Sequence, residues 1–284
     1  MYQLRISTFS LLIFIASLLI PGAAALGQDS DLRNLKILLY TKNGEGYVHK
    51  NIPTAVKAIQ ELGEKHGFEV MATEDPEVFT ESTLRQYDIL FFASTNNDVF
   101  ENDRQRLAFR RYIQSGGGFV GLHSVVGTER KWEWFKQLLG GSFVWHPRLQ
   151  EYNLKVIDPE HPTVRGIPTV WKKVDECYFM KELYPGIKVT IAHDLESLNP
   201  EQKDKIQEFA APFSKLYPAV WHHAFDGGEI WISALGHDEK DYGDPVFMQH
   251  LLQGIEYIAS RIGTLDPSRA YATSRDSPVR YTPD

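Results

Sequence analysis

Residues 87–124 read YDILFFASTNNDVFENDRQRLAFRRYIQSGGGFVGLHS, two apolar runs on either side of an amphipathic one. The first run, Tyr87 to Ala93, is apolar on both faces, as parallel strands between helix layers are. Asp103 to Ser115 then sets Phe109, Tyr112 and Ile113 on one helical face, and Gly116 to Gly118 stop the helix. Phe119 to His123 is the next strand. Strands alternating with helices in this way predict a parallel sheet wrapped on both sides.

The same alternation extends outward. Leu35 to Tyr40 reads as a buried first strand. Asn51 to His66 is helical: Asn51 can cap, Pro53 fits a first turn, and Val56, Ile59 and Leu62 recur at helical spacing. Phe68 to Ala72 is a second strand. Beyond Gln150 the pattern is strand-like as far as Tyr178, with prolines at 159, 162 and 168. Ile187 to His193, Ala219 to Ala224 and Ile230 to Leu235 are further strands, and Phe247 to Ala259 is a closing helix. No repeat or linker divides the chain, so residues 28–263 are expected to form one domain. The tail 264–284 has few large apolar residues and is expected to be mobile or draped on the surface.

Composition narrows the function classes. Of 284 residues, 43% are hydrophobic and 24% charged, which is globular, and six Trp, thirteen Tyr and sixteen Phe supply both core and possible sugar-stacking surface. The formal charge is −7 with no basic run, which argues against nucleic acid as a partner. Arg5, an apolar run from Phe9 to Ile20, then Pro21, Gly22 and small residues have the order of a secretory signal peptide over residues 1–27. Cleavage after Ala25 or Gly27 fits. The run is short for a spanning helix, and no cysteine follows it to carry a lipid. The expectation is therefore a periplasmic or secreted protein with no stable membrane insertion after cleavage. Cys177 stands alone, so no intramolecular disulfide supports the fold, and the thiol is expected to be a small buried hydrophobe.

In open α/β sheets ligands bind at the carboxyl ends of the strands. His49 follows the first strand, His123 and Ser124 follow GGGFVGLHS, and His237 and Asp238 follow WISALGHD, so three histidines should meet at one edge. In amidotransferase-like and hydrolase folds a G-x-nucleophile-x-G turn sits there. Here Gly121-Leu122-His123-Ser124-Val125 puts His123 in the nucleophile's place, with Ser124 one position late for covalent attack.

The stretches GGGFVGLHS (116–124), GGSFVWHP (140–147), HPTVRGIP (161–168), DECY (175–178), P-x-x-W (218–221) and ALGHD (234–238) with PVFMQHLLQGIEY, in this order and spacing, resemble the ThuA-like (trehalose-utilisation) family from about Leu35 to Ile262. The family's first loop commonly reads G-F-R-H-x-S-I. Here it is Gly46-Tyr47-Val48-His49-Lys50-Asn51-Ile52, which keeps the histidine and lacks the arginine and serine. The resemblance implies a flavodoxin-like, three-layer α/β sandwich of the class I glutamine amidotransferase type, without the amidotransferase cysteine and so without glutaminase activity.

It also adds His146, Asp175, Glu176 and Trp221 as site candidates. On a strand, alternate residues share a face, so Glu176 goes with Tyr178, Asp175 with Cys177, and Trp221 with His223. His123 and His237, partnered by Glu176, are the expected catalytic residues. His49, Trp221, His146, Ser124, Asp175 and Asp238 are the expected sugar-binding ones, Trp221 as a stacking platform if it is not core. A divalent metal is a second possibility for His49, His123, His146 and His237 with nearby carboxylates, although none of these shows an H-x-H or i, i+4 spacing. The family's association with disaccharides and oxidised (3-keto) sugars implies an enzyme of carbohydrate catabolism. A carbohydrate-binding protein that reuses the old site and a Ser124 hydrolase are the rivals. The sugar and the oligomeric state are left open.

Overall fold

The computed structural model describes residues 32–280, so the leader expected over residues 1–27 lies outside the described residues. Among the described residues, eleven strands and six α-helices are arranged around one large sheet. In chain order the strands are β1 (Lys36–Tyr40), β2 (Glu69–Thr73), β3 (Ile89–Ala93), β4 (Gly118–Leu122), β5 (Ser142–Trp145), β6 (Gln150–Val156), β7 (Val170–Asp175), β8 (Phe179–Lys181), β9 (Lys188–Asp194), β10 (Leu216–Phe225) and β11 (Gly228–Ser233). The helices are α1 (Ile52–His66), α2 (Glu81–Leu84), α3 (Asp103–Gln114), α4 (Glu133–Leu139), α5 (Lys203–Ala210) and α6 (Pro245–Arg261).

The nine-stranded sheet runs β2-β1-β3-β4-β11-β10-β9-β6-β7. Its first five strands are parallel and β10, β9, β6 and β7 continue it antiparallel. The parallel half has the flavodoxin order 2-1-3-4-5, counting its own strands, in line with the flavodoxin-like fold that the family resemblance implies. Every residue of β3 and β4 is buried, the consequence of helices on both faces. On one face Phe92 and Phe119 meet Phe109 of α3 and Phe135 of α4. Burying each such ring contributes roughly 1.5–3 kcal/mol. On the other face α6 approaches the sheet so closely that a Cβ on Gly118 would lie 2.5 Å from Ile258, and one on Gly254 would lie 2.7 Å from Trp231.

Register fixes where the chemistry sits. Ala93 lies opposite Leu122, and Leu122 opposite Ser233, so the loops after β4 and β11 leave the sheet side by side. His123 opens the turn after β4 at φ 54°, a left-handed conformation unusual for a side chain with a Cβ, in the place that the G-x-nucleophile-x-G pattern marks as a sharp bend. Gly121 is required beneath it: a Cβ there would lie 2.6 Å from Ile232 and 2.9 Å from Val125.

Two local expectations change. Asn51 stands at the start of α1 but makes no cap; its side-chain amide instead donates to the carbonyl of Gly236 at 2.6 Å, tying α1 to the loop after β11. The strand-like stretch 150–178 is β6 and β7, after which the chain leaves the large sheet. β8 then pairs with β5 as a separate two-stranded sheet. The tail beyond Gly263 is draped over α3 as far as residue 280. Buried Arg110 donates to the carbonyls of Arg275 (2.8 Å) and Ser277 (2.5 Å), Arg111 donates to that of Ala272 (2.8 Å), and Ala272 is itself buried.

Candidate functional site

Beyond the carboxyl edge of β1, β4 and β11, three imidazoles, a carboxylate and a phenol converge. His237 Nδ1 lies 3.1 Å from Glu176 Oε2 and 3.3 Å from His123 Nε2. The Tyr178 hydroxyl lies 3.1 Å from His123 Nε2 and 3.4 Å from His49 Nε2. The far nitrogens are held from behind: His49 Nδ1 by Ser124 Oγ at 3.1 Å, and His123 Nδ1 by the Ala234 carbonyl at 3.5 Å. One ligand atom from each of His49, His123, Glu176 and His237 fits within a 4.8 Å span. His146 stands outside that group, with Nδ1 3.5 Å from the other carboxylate oxygen of Glu176 and 2.8 Å from the Pro147 carbonyl.

Burial and mutual charge set the protonation states. Burial, reinforced by His49 and His237, holds His123 well below the usual imidazole range. Burial lowers His49 to about 4, helped by His237. The hydrogen bond with Glu176 raises His237 in spite of its partial burial. Burial pushes Glu176 up, but the His237 hydrogen bond and the His146 and His237 charges outweigh it, so the carboxyl titrates below its ordinary range. The site therefore pairs two neutral imidazoles, His49 and His123, with an ionised carboxylate that favours a proton on His237, and burial keeps the Tyr178 phenol protonated.

These groups close one end of a cavity of about 490 Å³, a size suited to a small ligand. His49, Ser124, His146, Glu176 and Tyr178 reach it, together with Tyr47, Asn96, Asn97, Arg130 and Phe143. Arg130 lies over the Phe143 ring at 5.3 Å and donates to Asn96 Oδ1 at 3.1 Å and the Gly127 carbonyl at 2.8 Å. Thus a guanidinium enters the cavity from the loop after β4, whereas Val48, where the family's first loop commonly has arginine, is exposed.

The structure corrects several expected roles. Trp221 is fully buried and its indole N–H donates to the Leu139 carbonyl at 3.0 Å, so it packs the core beside α4 and offers no platform to a sugar. Asp175 is buried and accepts backbone N–H groups from Gly236 (2.8 Å), His237 (3.3 Å) and Glu176 (2.8 Å); it shapes the site from beneath and does not reach the cavity. Asp238 is spent on capping the short 3₁₀ turn 239–243 through a reciprocal pair with Asp241. His123 and His237 stand behind the cavity wall, and of the four imidazoles expected as metal candidates His146 falls outside the tight group.

The alternation argument holds where it was applied. Glu176 and Tyr178 both face the cavity, Asp175 and Cys177 are buried away from it, and His222 bonds Tyr257 of α6 at 2.9 Å while Trp221 faces α4. Tyr178 is a cavity residue that sequence reasoning missed although its signal was present, since it shares a face with Glu176 in DECY. Arg130, Asn97 and Phe143 had no such signal, because two loops and strand β5 are brought together only by the fold.

Comparison with known proteins bears on the whole arrangement. The family model described as "ThuA: Trehalose utilisation" matches residues 36–258. Among proteins with curated descriptions none matches. A protein of Bacteroides uniformis described as ThuA-like superposes with a TM-score of 0.65 at 18% identity, over 86% of this chain and 99% of its own. Another so described, from Parabacteroides merdae, gives 0.62 at 21% identity over 81% and 92%. A cytoplasmic protein of Salmonella typhimurium gives 0.54 at 11% identity over 79% and 99%. At these identities the structures speak for the fold, and the family match speaks for descent. It spans every strand of the sheet and every side chain of the cluster, and on that ground the chain belongs to the ThuA (trehalose utilisation) family.

Proposed function

We propose that the protein is an enzyme of carbohydrate catabolism that moves a proton on a sugar carrying a ring ketone, as an isomerase or epimerase does. The observation behind this reading is the wall of the cavity, where an ionised carboxylate, an imidazole and a protonated phenol stand within reach of one ligand. A ketone acidifies the neighbouring C–H bond. Glu176, with His146 beside it, takes that proton; the C–H electron pair becomes the C=C bond of an enediolate, and the carbonyl electrons move onto oxygen. Tyr178 donates a hydrogen bond to that oxygen, and return of the proton to either carbon face or to the neighbouring carbon gives the product. His123 and His237 hold Tyr178 and Glu176 from behind. Arg130, Asn97 and Phe143 line the side where hydroxyl groups and an apolar ring face would rest.

The test is to incubate 3-keto-glucosides with the protein in deuterated water and follow exchange beside the ketone by NMR. Exchange is expected, slowed about 10²–10⁴-fold in Glu176→Gln. Tight sugar binding with no exchange for any keto-sugar would favour a carbohydrate-binding protein instead. A Ser124 hydrolase lacks a third group in the right place, because the other nitrogen of His49 meets the Tyr178 phenol where a triad would have a carboxylate. The leader motif over residues 1–27 supports action in the periplasm or outside the cell. N-terminal mass spectrometry on protein from the native host is expected to find a start at Leu26 or Gln28, and an intact Met1 on membrane-bound protein would overturn this.

A further inference from the structure

We infer that His49, His123, Glu176 and His237 form a binding site for one divalent transition-metal ion, and that the ion takes the ketone oxygen of the substrate as a fifth ligand. The site stands on geometry alone, whereas the ion's part in turnover rests on the reaction proposed above. Around an ion with bonds of about 2.0–2.1 Å, tetrahedrally placed ligand atoms lie about 3.3 Å apart. The separations found are 3.1 Å from His237 to Glu176, 3.3 Å from His237 to His123 and 3.8 Å from His123 to Glu176, close to that spacing before any ion draws them in, and His49 joins them within 4.8 Å.

The outer contacts point the same way. A ligating imidazole is oriented by a hydrogen bond from its second nitrogen to a carbonyl, hydroxyl or carboxylate. His123 directs Nδ1 to the Ala234 carbonyl and His49 directs Nδ1 to Ser124, which leaves both Nε2 lone pairs aimed into the cluster. Three imidazole nitrogens crowded about one carboxylate oxygen cannot all find protons to share, and a cation satisfies every lone pair at once. Three nitrogens with one oxygen suit zinc, iron or cobalt and are a poor match for calcium or magnesium. Glu176 can serve both purposes, since Oε2 faces the cluster while Oε1 faces His146. Sequence reading named the three imidazoles among its metal candidates but not which carboxylate joins them, because the ligands come from four separate loops.

The experiment uses the full chain without a histidine tag, stripped with chelator and titrated with Co(II) and Zn(II) by calorimetry and visible absorption. One ion per chain is expected, with the absorption of imidazole-bound cobalt. His237→Gln, a change at a partly exposed residue that the fold should tolerate, is expected to weaken binding more than 100-fold, beyond the 10–100-fold typical of losing an outer-shell partner. His146→Gln is expected to keep the ion and its spectrum. Absence of saturable binding in folded protein, or equal binding by His237→Gln, overturns the site. Full-rate exchange by the stripped protein overturns the ion's role in turnover. A bound ion with no exchange on any keto-sugar leaves the site standing and sinks the reaction.

Discussion

The carboxylate of Asp175 is fully buried and gathers three backbone N–H groups, two of them from the loop that carries His237. Lys173, itself buried, sits against Asp175 at 3.4 Å and also against Asp241. Hydrogen bonds to a charged group are each worth about 1.5–3 kcal/mol, and a neutral amide keeps only part of them while turning an N–H toward a donor. Asp175→Asn should therefore cost about 2–4 kcal/mol, read as a lower urea midpoint at unchanged slope, and should slow exchange although residue 175 does not touch the cavity. A variant as stable as the parent would show that the 236–237 turn holds its own shape. At this scale strand ends named His49 and Ser124, family resemblance named His146 and Glu176, and all four reach the cavity. Sequence reading failed with Trp221 because a tryptophan on a strand looks alike whether it faces a ligand or Leu139. Asp238 is different: Asp238 and Asp241 have the three-residue spacing of a capping box, so its role was legible and was overlooked.

Elements were legible in proportion to how many residues spoke for them. β1, β3 and β4 are apolar through their length, and α1, α3 and α6 repeat over three or more turns, so each predicted span falls within a few residues of the observed one. α2 and α4 are four and seven residues long, too short for periodicity to speak. The two-stranded sheet β5-β8 had no signal either, because its partners lie far apart and β8 is three residues long. That small sheet matters to the site. It carries the chain away from β7 just after Asp175 and sets Tyr178 beside His123, while its other strand delivers Phe143 and His146. The histidines at the cluster floor thus come from the parallel half of the sheet, which the sequence announces. The opposite wall comes from an excursion that only tertiary packing stabilises. This is why residue patterns announced the floor, whereas on the wall His146 and Glu176 were named only through family resemblance and Tyr178 and Phe143 were missed.

For the molecule as a whole, stability against acid depends on buried histidines, those far from the site as well as those in it. His193 and His250 are fully buried, and burial lowers both to about 3. In the unfolded chain each takes its proton near pH 6.5. Above that neither state is protonated and stability is full; below it the unfolded chain binds protons that the folded one refuses until about pH 3, so stability falls as the pH falls through that window. Each such histidine costs about 1.4 kcal/mol per pH unit, and the pair removes up to about 4 kcal/mol between pH 6.5 and 5, a large share of the 5–15 kcal/mol that holds a typical domain. Asp241 works in the opposite direction. Burial raises it to about 6, so between there and about pH 4 the folded state gains a proton first, which offsets one histidine over about two units and leaves the other uncompensated. His193 is the cleaner one to test, because both ring nitrogens lack a partner among the described residues and its ring packs against Tyr152 at 5.5 Å. Replacing it with an apolar ring removes the titration and leaves no broken hydrogen bond. Urea titrations of His193→Phe and the parent at pH 7, 6 and 5 should give similar stability at pH 7 and a slope on the acid side shallower by about 1.4 kcal/mol per unit. Parallel acid slopes would mean that His193 takes up a proton in the folded state, and the acid sensitivity would then have to come from other groups.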